Sequence, residues 1–530
     1  MGEEAAGKPP VVILREESTV TSGTAVQEKL IAAARVFADL LRPTFGPRGL
    51  DKMLYKTDGT TAITNDGAKI IAELMVKHPA AKMLVSMAET QENTCGDGVT
   101  GTLLMCSELL MEAGRLMEKG LHPLVVHSGY ERAREVSLEK IQTLCIDVDV
   151  KDKETLQSIA ATSLTGKGAE GAIKTLSKLV INALMSVSRI EEDGTHRCEA
   201  EDVTMHKTGK GSITDSQFVK GIVIRRRILL DALPTHIQSP NVAVLNCDLA
   251  PRKQIRSSEI EIEEVEQLEA FLEMEETLRD KLSKSLIATG ANVFLSSGEI
   301  DKGILHRLMR SGCFVVGELD DRELRNAAAA TGARIVEFAA DLEETDVGQA
   351  GELKTERRPT TDKVEDIIRL VGCINPKVVT CEIGGANDLA TEETIRAIHD
   401  ALRSTSLTIQ DGRILHGGGA THMACALAIR EAAEREPGRE RLAMEAYARA
   451  LEIIPISLAK NAGADPLDRI LELRAAHRSG SESAGIDSSG KVGQTDARVS
   501  ATTLESAIEA ASETCGSMLR IDQVISARGD

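Results

Sequence analysis

Four glycine-rich loops carry the residues whose types and spacing could do chemistry. They are FGPRG (45–49), NDG (65–67), GDGVTGT (96–102) and HGGGA (416–420). Glycine lets the backbone approach a ligand closely and lets its N–H groups converge on an anion. GDGVTGT comes directly before an apolar helical stretch, so a helix N-terminus would also point at the ligand. Taken singly, such loops are more often simple turns, so the pattern alone leaves a nucleotide site open.

Asp97, inside GDGVTGT, restricts what that loop could bind. A loop that carries a carboxylate should not hold a bare phosphate, because like charges repel. It makes sense with a metal, since carboxylate, Mg²⁺ and phosphate oxygens form one oxygen-rich shell. The sequence contains neither G-x-x-x-x-G-K-[ST] nor a G-x-G-x-x-G that opens a βαβ unit. These absences argue against the ordinary P-loop class and against a dinucleotide-binding domain.

The elements that must position these loops are mainly helices in the outer thirds of the chain. In 22–41 the apolar residues Val26, Leu30, Ala33, Phe37 and Leu41 share one helical face, and Pro43 should end that helix. Further helices are expected at 68–76, from Pro79, and at 103–119, 122–145, 388–404, 419–435, 440–460, 466–476 and 503–519.

The middle of the chain differs, because short apolar runs alternate there with helical stretches. Such alternation predicts an α/β module. We therefore expect a helical domain built from both chain ends with an α/β module inserted. The apolar runs are 242–246, 291–297, 313–319, 333–338 and 378–383.

Two segments stand apart from this pattern. Residues 257–282 contain ten acidic residues, and their apolar residues form only a weak helical face. This pattern predicts a charged helical arm that is exposed to solvent, and it favours such an arm over an interaction tail. Residues 478–496 are rich in Ser and Gly and are expected to form a loop or a small hairpin.

Composition narrows the class of protein. The chain has 530 residues, 42% hydrophobic and 27% charged, which is typical of a soluble multidomain protein. A net charge of −19 and 2% aromatic residues argue against nucleic-acid binding. No apolar run is long enough for a membrane span, and no leader is recognisable, so we expect a cytoplasmic protein. The ten scattered cysteines are expected to be buried free thiols.

Taken together and in order, many short motifs resemble the group II chaperonins, which comprise the archaeal thermosome subunits and the subunits of the eukaryotic cytosolic ring chaperonin. The resemblance runs from Thr19 to Ser526 and is nearer the archaeal branch. The motifs are LRPTFGPRGLDKML, TNDGA, HPAAKMLVSMAETQE followed by GDGVT, GLHPLVVHSGYERA, ATSLTGKG, KGIVI, CEIGGA, IHDAL, HGGGA, LAKNAGADPLD and MLRIDQVI.

The resemblance implies a three-domain subunit. A helical equatorial ATP-binding domain would comprise 1–146 and 403–530, and an intermediate hinge domain 147–214 and 371–402. An apical α/β domain, 215–370, would bind unfolded client proteins and carry a helical lid protrusion at about 248–280. Such subunits assemble with themselves or with paralogues into two stacked eight- or nine-membered rings, and ATP hydrolysis closes the built-in lid.

The resemblance also implies roles for single residues, with ATP and Mg²⁺ as the cofactors. Asp97 would hold Mg²⁺, Asp66 would lie near the γ-phosphate, and Asp400 would position and polarise the attacking water. Lys167 would reach the γ-phosphate. The remaining nucleotide contacts would come from Gly46, Pro47, Gly96, Gly98, Val99, Thr100, Gly101 and Gly418, with Asp487 or Asp496 as candidates for an acidic ribose contact.

Some of these residues have simpler interpretations, and the chain departs from the family pattern. In isolation, Asp66 is more often a turn residue, Asp400 a solvated helix residue and Lys167 a loop-tip charge. The family usually reads GDGTTT or GDGTTS, whereas Val99 and Gly101 stand here in place of hydroxyl residues. A lost hydrogen bond to a charged group is worth roughly 1.5–3 kcal/mol. An alternative is therefore a divergent subunit that hydrolyses ATP weakly or not at all.

Overall fold

A computed structural model describes residues 19–55, 59, 61–74, 76, 78–168, 170–192, 194–209, 211–251, 265–359 and 364–526. The contacts within the chain divide it into two compact units. Unit 1 takes the described residues up to Glu170 and those from Asp411 onward, and unit 2 takes those of Gly171–Gln410. Both ends of the chain therefore build unit 1.

The first part of unit 1 is mostly helical. Its elements are β1 (Thr19–Ser22), α1 (Thr24–Leu41), β2 (Lys52–Tyr55), β3 (Thr61–Thr64), α2 (Gly67–Ala72), α3 (Pro79–Cys95), α4 (Val99–Glu118), α5 (Pro123–Leu144), β4 (Ile146–Asp147) and α6 (Lys153–Leu164).

Unit 2 begins with a helix and then alternates strands and helices. Its elements are α7 (Ile173–Val187), β5 (Arg189–Ile190), β6 (His196–Arg197), β7 (Val203–Lys207), β8 (Gln217–Val219), β9 (Gly221–Arg225), β10 (His236–Gln238), β11 (Asn241–Leu245), α8 (Val265–Ala288), β12 (Val293–Ser296), α9 (Lys302–Arg310), β13 (Phe314–Val316), α10 (Asp321–Thr331), β14 (Ile335–Val336), β15 (Gly348–Gln349), β16 (Glu352–Pro359), β17 (Val364–Val371), β18 (Val379–Ile383) and α11 (Asp388–Asp411).

The chain then returns to unit 1 through the end of α11. The elements that complete this unit are β19 (Arg413–His416), α12 (Ala420–Glu434), α13 (Glu440–Leu451), α14 (Ile453–Asn461), α15 (Pro466–Arg478), β20 (Ala484–Ile486), β21 (Val492–Gln494), β22 (Arg498–Ser500), α16 (Ala501–Leu519) and β23 (Gln523–Ser526).

The core of unit 1 lies between helices from both ends of the chain. Helix α4 packs against α1, α13 and α16, and α5 packs against α12 and α13. The buried rings of Tyr130 and Tyr447 meet edge to face, with centroids 5.4 Å apart. The two ends also pair as strands, since β1 runs antiparallel to β23 with Thr19 opposite Ser526. Packing between distant parts of the sequence therefore fixes this unit.

Two helices of unit 1 begin in the same way, with the sequence His-Pro. The ring Nδ1 of His78 accepts a hydrogen bond from the N–H of Ala80 at 3.2 Å, which caps α3. His122 accepts from the N–H of Leu124 at the same distance and caps α5. In both helices proline follows the cap, where its missing N–H costs nothing. The sequence predicts the first of these starts from Pro79.

Unit 2 contains the predicted α/β module. Strands β13, β12, β11 and β14 lie side by side in parallel, and β15 pairs antiparallel with β11. A separate antiparallel sheet has the order β10-β16-β17-β9. Strands β12 and β13 are buried along their whole length, and β11 is buried at all but its first residue, which explains their continuous apolar runs.

Several predicted boundaries are wrong, for identifiable reasons. The stretch 440–460 forms two helices, α13 and α14, because Pro455 cannot donate the N–H that would continue the first one. Helix α2 ends at Ala72, before the predicted Val76, and α11 continues to Asp411, beyond the predicted residue 404. The predicted hairpin within 478–496 is present as β20 and β21.

The acidic arm falls partly outside the described residues, since 252–264 are not described. The described part, α8, is helical as predicted. Leu272 is 53% exposed, and Met274 and Leu278 are exposed as well, so this stretch is solvated. Toward its end α8 turns inward, where Leu286 is fully buried. The proposed lid and the three-domain boundaries remain predictions.

All ten cysteines are free thiols, and eight of them are buried, as the sequence predicts. Cys145 and Cys247 are only partly buried. None of the helices that the structure describes is both long and apolar enough to cross a bilayer.

Candidate functional site

Within GDGVTGT only the GDG residues, 96–98, join the end of α3 to the start of α4, because the last four residues already form the first turn of α4, ahead of the predicted start at 103. Gly96 and Gly98 both adopt left-handed backbone conformations, with φ of 66° and 86°, which other residues rarely tolerate. Gly98 is the N-cap of α4 and has no side chain with which to cap it. The first helical hydrogen bond runs from the N–H of Thr102 to the carbonyl of Gly98, at 3.0 Å. The preceding N–H groups of the first turn therefore lack intrahelical acceptors and form an anion-binding helix terminus.

The carboxylate of Asp97 is held from three directions. Its Oδ1 accepts from the backbone N–H of Gly98 at 2.7 Å, and its Oδ2 accepts from Oγ of Ser163 at 2.7 Å. The ammonium of Lys167 lies 3.6 Å from Oδ1. The side chain of Asp97 is 28% exposed and that of Lys167 is 17% exposed, so both can reach a ligand. The structure thus brings together the predicted metal ligand and the predicted phosphate-binding lysine.

The NDG loop lies directly against the first turn of α4. A Cβ added to Gly67 would be 2.3 Å from Oγ1 of Thr100, so only glycine permits this approach. The carboxylate of Asp66 caps α2 by accepting from the N–H groups of Ala68 and Lys69, at 3.0 and 3.3 Å. Asp66 is therefore a helix cap and not simply a turn residue, and its role near the γ-phosphate stays a prediction.

The FGPRG turn is the third loop of this cluster. Gly46 has a φ of 83°, and its carbonyl oxygen lies 2.6 Å from where a Cβ on Gly166 would be. The same Cβ on Gly166 would be 3.4 Å from Cα of Pro47, so both residues of the turn contact the loop that carries Lys167. The side-chain amide of Asn461 donates to the carbonyls of Arg42 and Phe45, at 2.8 Å each. These bonds hold the turn in place from α14.

The HGGGA loop connects β19 to α12 and is joined to the other loops through α6. The N–H of Gly417 donates to the carbonyl of Ala497 at 2.9 Å, and the N–H of Ile486 donates to the carbonyl of Gly418 at 2.8 Å. The residue after Ala497, Arg498, donates its backbone N–H to Oγ1 of Thr162 at 3.1 Å. Since Thr162 precedes Ser163, one helix contacts both loop regions.

Gly418 and Gly419 have φ of 65° and 80°, and Gly419 is the N-cap of α12. Like α4, this helix therefore begins with a glycine that offers no capping side chain. The HGGGA segment is thus a helix entry, and the N-terminus of α12, like that of α4, has no side-chain cap.

The donor set fits Mg²⁺ together with a phosphate-bearing ligand. Among the described residues, no three His, Cys, Asp or Glu side chains come together as a metal site. A single carboxylate, Asp97, suits Mg²⁺, which is commonly held by one or two carboxylates plus substrate phosphates. In the described part of the chain, Oδ1 of Asn65 and Oγ1 of Thr495 are buried without hydrogen-bond partners. Buried polar atoms seldom remain unpaired, so both fit a site that a ligand or water completes.

The remaining predicted carboxylates are Asp400, Asp487 and Asp496. Asp400 belongs to unit 2, on α11, where it is 4% exposed, and its predicted action on water is untested. Asp496 is exposed. Asp487 is also exposed, and it accepts hydrogen bonds from Ser489 and Lys491 within its own turn. Burial works to raise the pKa of Asp487, but these backbone and hydroxyl donors outweigh it and lower the pKa. The structure identifies neither as a ribose contact.

Val99 and Gly101, which depart from the family pattern, reduce the number of hydroxyl groups that this segment can offer to a ligand. Val99 is buried at the start of α4, and a Cβ on Gly101 would lie 3.7 Å from the ring of Phe45. Of the remaining hydroxyls, Thr102 donates back to the carbonyl of Gly98 at 3.0 Å. Thr100 is therefore the hydroxyl residue of this loop that is best placed to serve a ligand.

Reasoning from the sequence missed Ser163 and Asn65, although both lie in motifs that it singled out. The side-chain amide of Asn65 donates to the carbonyl of Gly166, and Ser163 donates to Asp97. The sequence offered no distinguishing signal for either residue, because a serine near a helix end and an asparagine before a helix are ordinary.

Comparison with known proteins identifies the family. The model of the TCP-1/cpn60 chaperonin family matches residues 37–529. The chain is 37% identical to thermosome subunit alpha of Archaeoglobus fulgidus over 524 residues, which cover 98% of this chain and 95% of that protein. It is 39% identical to the thermosome subunit of Methanopyrus kandleri over 526 residues, with the same coverage of 98% and 95%. The resemblance inferred from the motifs is thus confirmed, and the chain belongs to the TCP-1/cpn60 chaperonin family.

Proposed function

We propose that this protein is an ATP-dependent molecular chaperone, a subunit of a double-ring chaperonin that binds unfolded proteins and assists their folding. Membership of the family supports the chaperonin part of this proposal. Relatives named as alpha and beta thermosome subunits support assembly with itself or with paralogues. The proposal also includes eight- or nine-membered rings, a built-in lid and a cytoplasmic location.

One observation carries the nucleotide part of the proposal. Asp97 sits at the uncapped N-terminus of α4 with Lys167 3.6 Å away, between loops whose glycines permit close backbone approach. A carboxylate, a cation and free N–H groups in one place are the groups that a metal-bound triphosphate needs. A simple turn would explain one of these loops but not their contacts with one another.

The proposed roles follow from these positions. The N–H groups at the start of α4 bind phosphate oxygens, and Lys167 moves from Asp97 toward the γ-phosphate when ATP binds. Mg²⁺, when bound, neutralises phosphate charge and is held by Asp97. Asp66 fixes the NDG loop by capping α2. Asp400 is proposed to position and polarise the attacking water, on the strength of the resemblance alone.

Client binding is assigned to unit 2, which contains the predicted apical module. The exposed apolar residues of α8, Leu272, Met274 and Leu278, would contact unfolded chains because such chains expose apolar side chains too. These residues lie inside the predicted lid segment, 248–280, so the same arm would both bind clients and cover them.

Imaging of negatively stained particles with and without ATP and Mg²⁺, alongside steady-state phosphate release, tests the proposal. We expect double rings in both conditions, a change in lid state with nucleotide, and measurable hydrolysis. Only monomers or dimers at micromolar protein would overturn the assembly. Intact rings with no measurable hydrolysis would instead favour the divergent subunit that the substitutions at Val99 and Gly101 suggest.

A further inference from the structure

We propose that Ser163 is a positioning residue for Asp97, and that its hydroxyl sets the affinity of the site for Mg²⁺-bound nucleotide. This inference rests on the proposed function, because it concerns the metal that the nucleotide would carry. It assigns a role to a side chain for which the resemblance implies none. The hydrogen bond that carries it joins Oγ of Ser163 to Oδ2 of Asp97, at 2.7 Å.

The hydrogen bond from Ser163 matters because the carboxylate of Asp97 would otherwise turn toward the ammonium of Lys167. Its Oδ1 already accepts from the N–H of Gly98 and lies 3.6 Å from the ammonium of Lys167. Without a donor on Oδ2, the carboxylate can turn so that both oxygens face Lys167. A carboxylate that pairs fully with a lysine is a weaker metal ligand, because the cation must first displace the ammonium.

Ser163 can hold Asp97 because α6 is itself firmly held. Asp152 caps the helix by accepting from the N–H of Thr155 at 3.1 Å, and Leu156 and Ile159 are fully buried. Near its C-terminal end, Thr162 donates to the carbonyl of Ser158 at 2.8 Å and accepts from Arg498. Ser163 is 6% exposed, so water competes little for its hydroxyl.

In this proposal Ser163 acts as a hydrogen-bond donor to the carboxylate that ligates the metal. A hydrogen bond from behind fixes the orientation of a ligating carboxylate, and loss of such a partner typically weakens metal binding by about 10- to 100-fold. Ser163 does not itself contact the metal or the nucleotide in this scheme. Its loss should therefore change how much Mg²⁺ is needed, and not how the nucleotide binds without metal.

The test is Ser163→Ala in the full-length assembly, with ADP binding measured by calorimetry across a Mg²⁺ titration and in EDTA. We expect the Mg²⁺ concentration that half-restores ADP affinity to rise about tenfold. Affinity in EDTA should stay at the parent value. Ser163→Thr keeps a hydroxyl and should keep the parent Mg²⁺ midpoint. Ser158→Ala is the matched control, since its hydroxyl, on the same helix, donates only to the carbonyl of Thr155.

Asp97→Asn separates failure of this inference from failure of the proposed site. In the Asp97→Asn background, Ser163→Ala should cause no further shift, because its effect passes through the carboxylate. If Asp97→Asn raises the Mg²⁺ midpoint and Ser163→Ala, with an unchanged melting temperature, does not, the positioning role is overturned. If Asp97→Asn has no effect on the midpoint, the proposed magnesium site itself is wrong.

Discussion

The side-chain amide of Asn65 donates a hydrogen bond to the backbone carbonyl of Gly166, which ties the NDG loop to the loop that carries Lys167. The two residues are 101 positions apart in the sequence. Gly166 in turn contacts the backbone of the FGPRG turn. Asn65 and Gly166 together therefore connect three of the loops proposed to bind nucleotide.

We expect Asn65→Ala to weaken ATP binding more than ADP binding. The reason is that the substitution frees the loop that positions Lys167, which is proposed to contact the γ-phosphate. A lost hydrogen bond of ~1 kcal/mol corresponds to a roughly fivefold loss of ATP affinity. Calorimetric titration with each nucleotide in the presence of Mg²⁺ measures both. Asn182→Ala, at an exposed position on α7, is the control. Equal losses for ATP and ADP would contradict the link to Lys167.

Asp97→Ala and Asp400→Ala should separate nucleotide binding from chemistry. Asp400→Ala should lower the rate of phosphate release by on the order of 10²-fold or more, the size expected for loss of a base-like group, with little change in ATP affinity. Asp97→Ala should lose Mg²⁺-dependent nucleotide binding instead. Steady-state phosphate release and nucleotide titration measure the two effects. Hydrolysis by Asp400→Ala at the parent rate would remove that residue from the mechanism.

Two glycine substitutions only 34 positions apart, Gly67→Ala and Gly101→Ala, should have opposite effects. A Cβ on Gly101 would lie 3.7 Å from its nearest neighbours, an ordinary contact, so Gly101→Ala should stabilise α4 by about 0.5–1 kcal/mol. It keeps the N–H and should keep nucleotide affinity.

A Cβ on Gly67 would be 2.3 Å from Oγ1 and 3.3 Å from Cα of Thr100. Gly67→Ala should therefore push the NDG loop away from α4, and overpacking of ~1–3 kcal/mol, if it falls on the bound state, would lower nucleotide affinity by roughly 5- to 150-fold. Thermal unfolding and ADP titration of both variants test this. Parent affinity in Gly67→Ala would mean that the two loops need not touch for binding.

The sequence predicted the architecture of unit 1 well because local signals and packing agree there. Helix ends are marked by Pro43, Pro79 and the glycines at 96 and 98, because these residues limit helices through their own backbone geometry, whatever packs around them. The break between α13 and α14 was missed although Pro455 is visible in the sequence, because the apolar pattern continues across it. Periodicity shows which face is buried, but not where one helix stops and the next one starts.

The candidate site was predicted only in part, because several of its contacts join residues far apart in the chain. Asp97 could be singled out from its glycines and the helix that follows. Ser163 and Asn65 could not, since a serine near the end of a helix and an asparagine in a turn are ordinary in isolation. Their partners, Asp97 and Gly166, are identified only when folding brings α6 against the loops.

Protonation of His477 should make the protein less stable in mild acid. Its Nε2 lies 2.8 Å from the carbonyl of Ala484, its Nδ1 has no partner among the described residues, and the residue is 6% exposed. Burial lowers the pKa of His477, and nearby Lys140 adds to this, while the Ala484 carbonyl and Glu482 oppose it. The folded state therefore keeps the ring neutral at pH values where the unfolded chain, with a histidine pKa of about 6.5, takes up a proton.

The sign of the effect follows from linkage. Below about pH 6.5 the unfolded state binds more protons, so stability falls as pH falls, by at most about 1.4 kcal/mol per pH unit for one histidine. Burial also lowers the pKa values of His399 and His416, so part of the dependence will remain in any single variant. His477→Gln retains a side-chain donor for the Ala484 carbonyl but cannot titrate. Its melting temperature should therefore fall less than that of the parent between pH 7.5 and 5.5, whereas His306→Gln, at an exposed position on α9, should follow the parent. If His477→Gln and the parent lose stability in parallel, His477 does not contribute to the acid sensitivity.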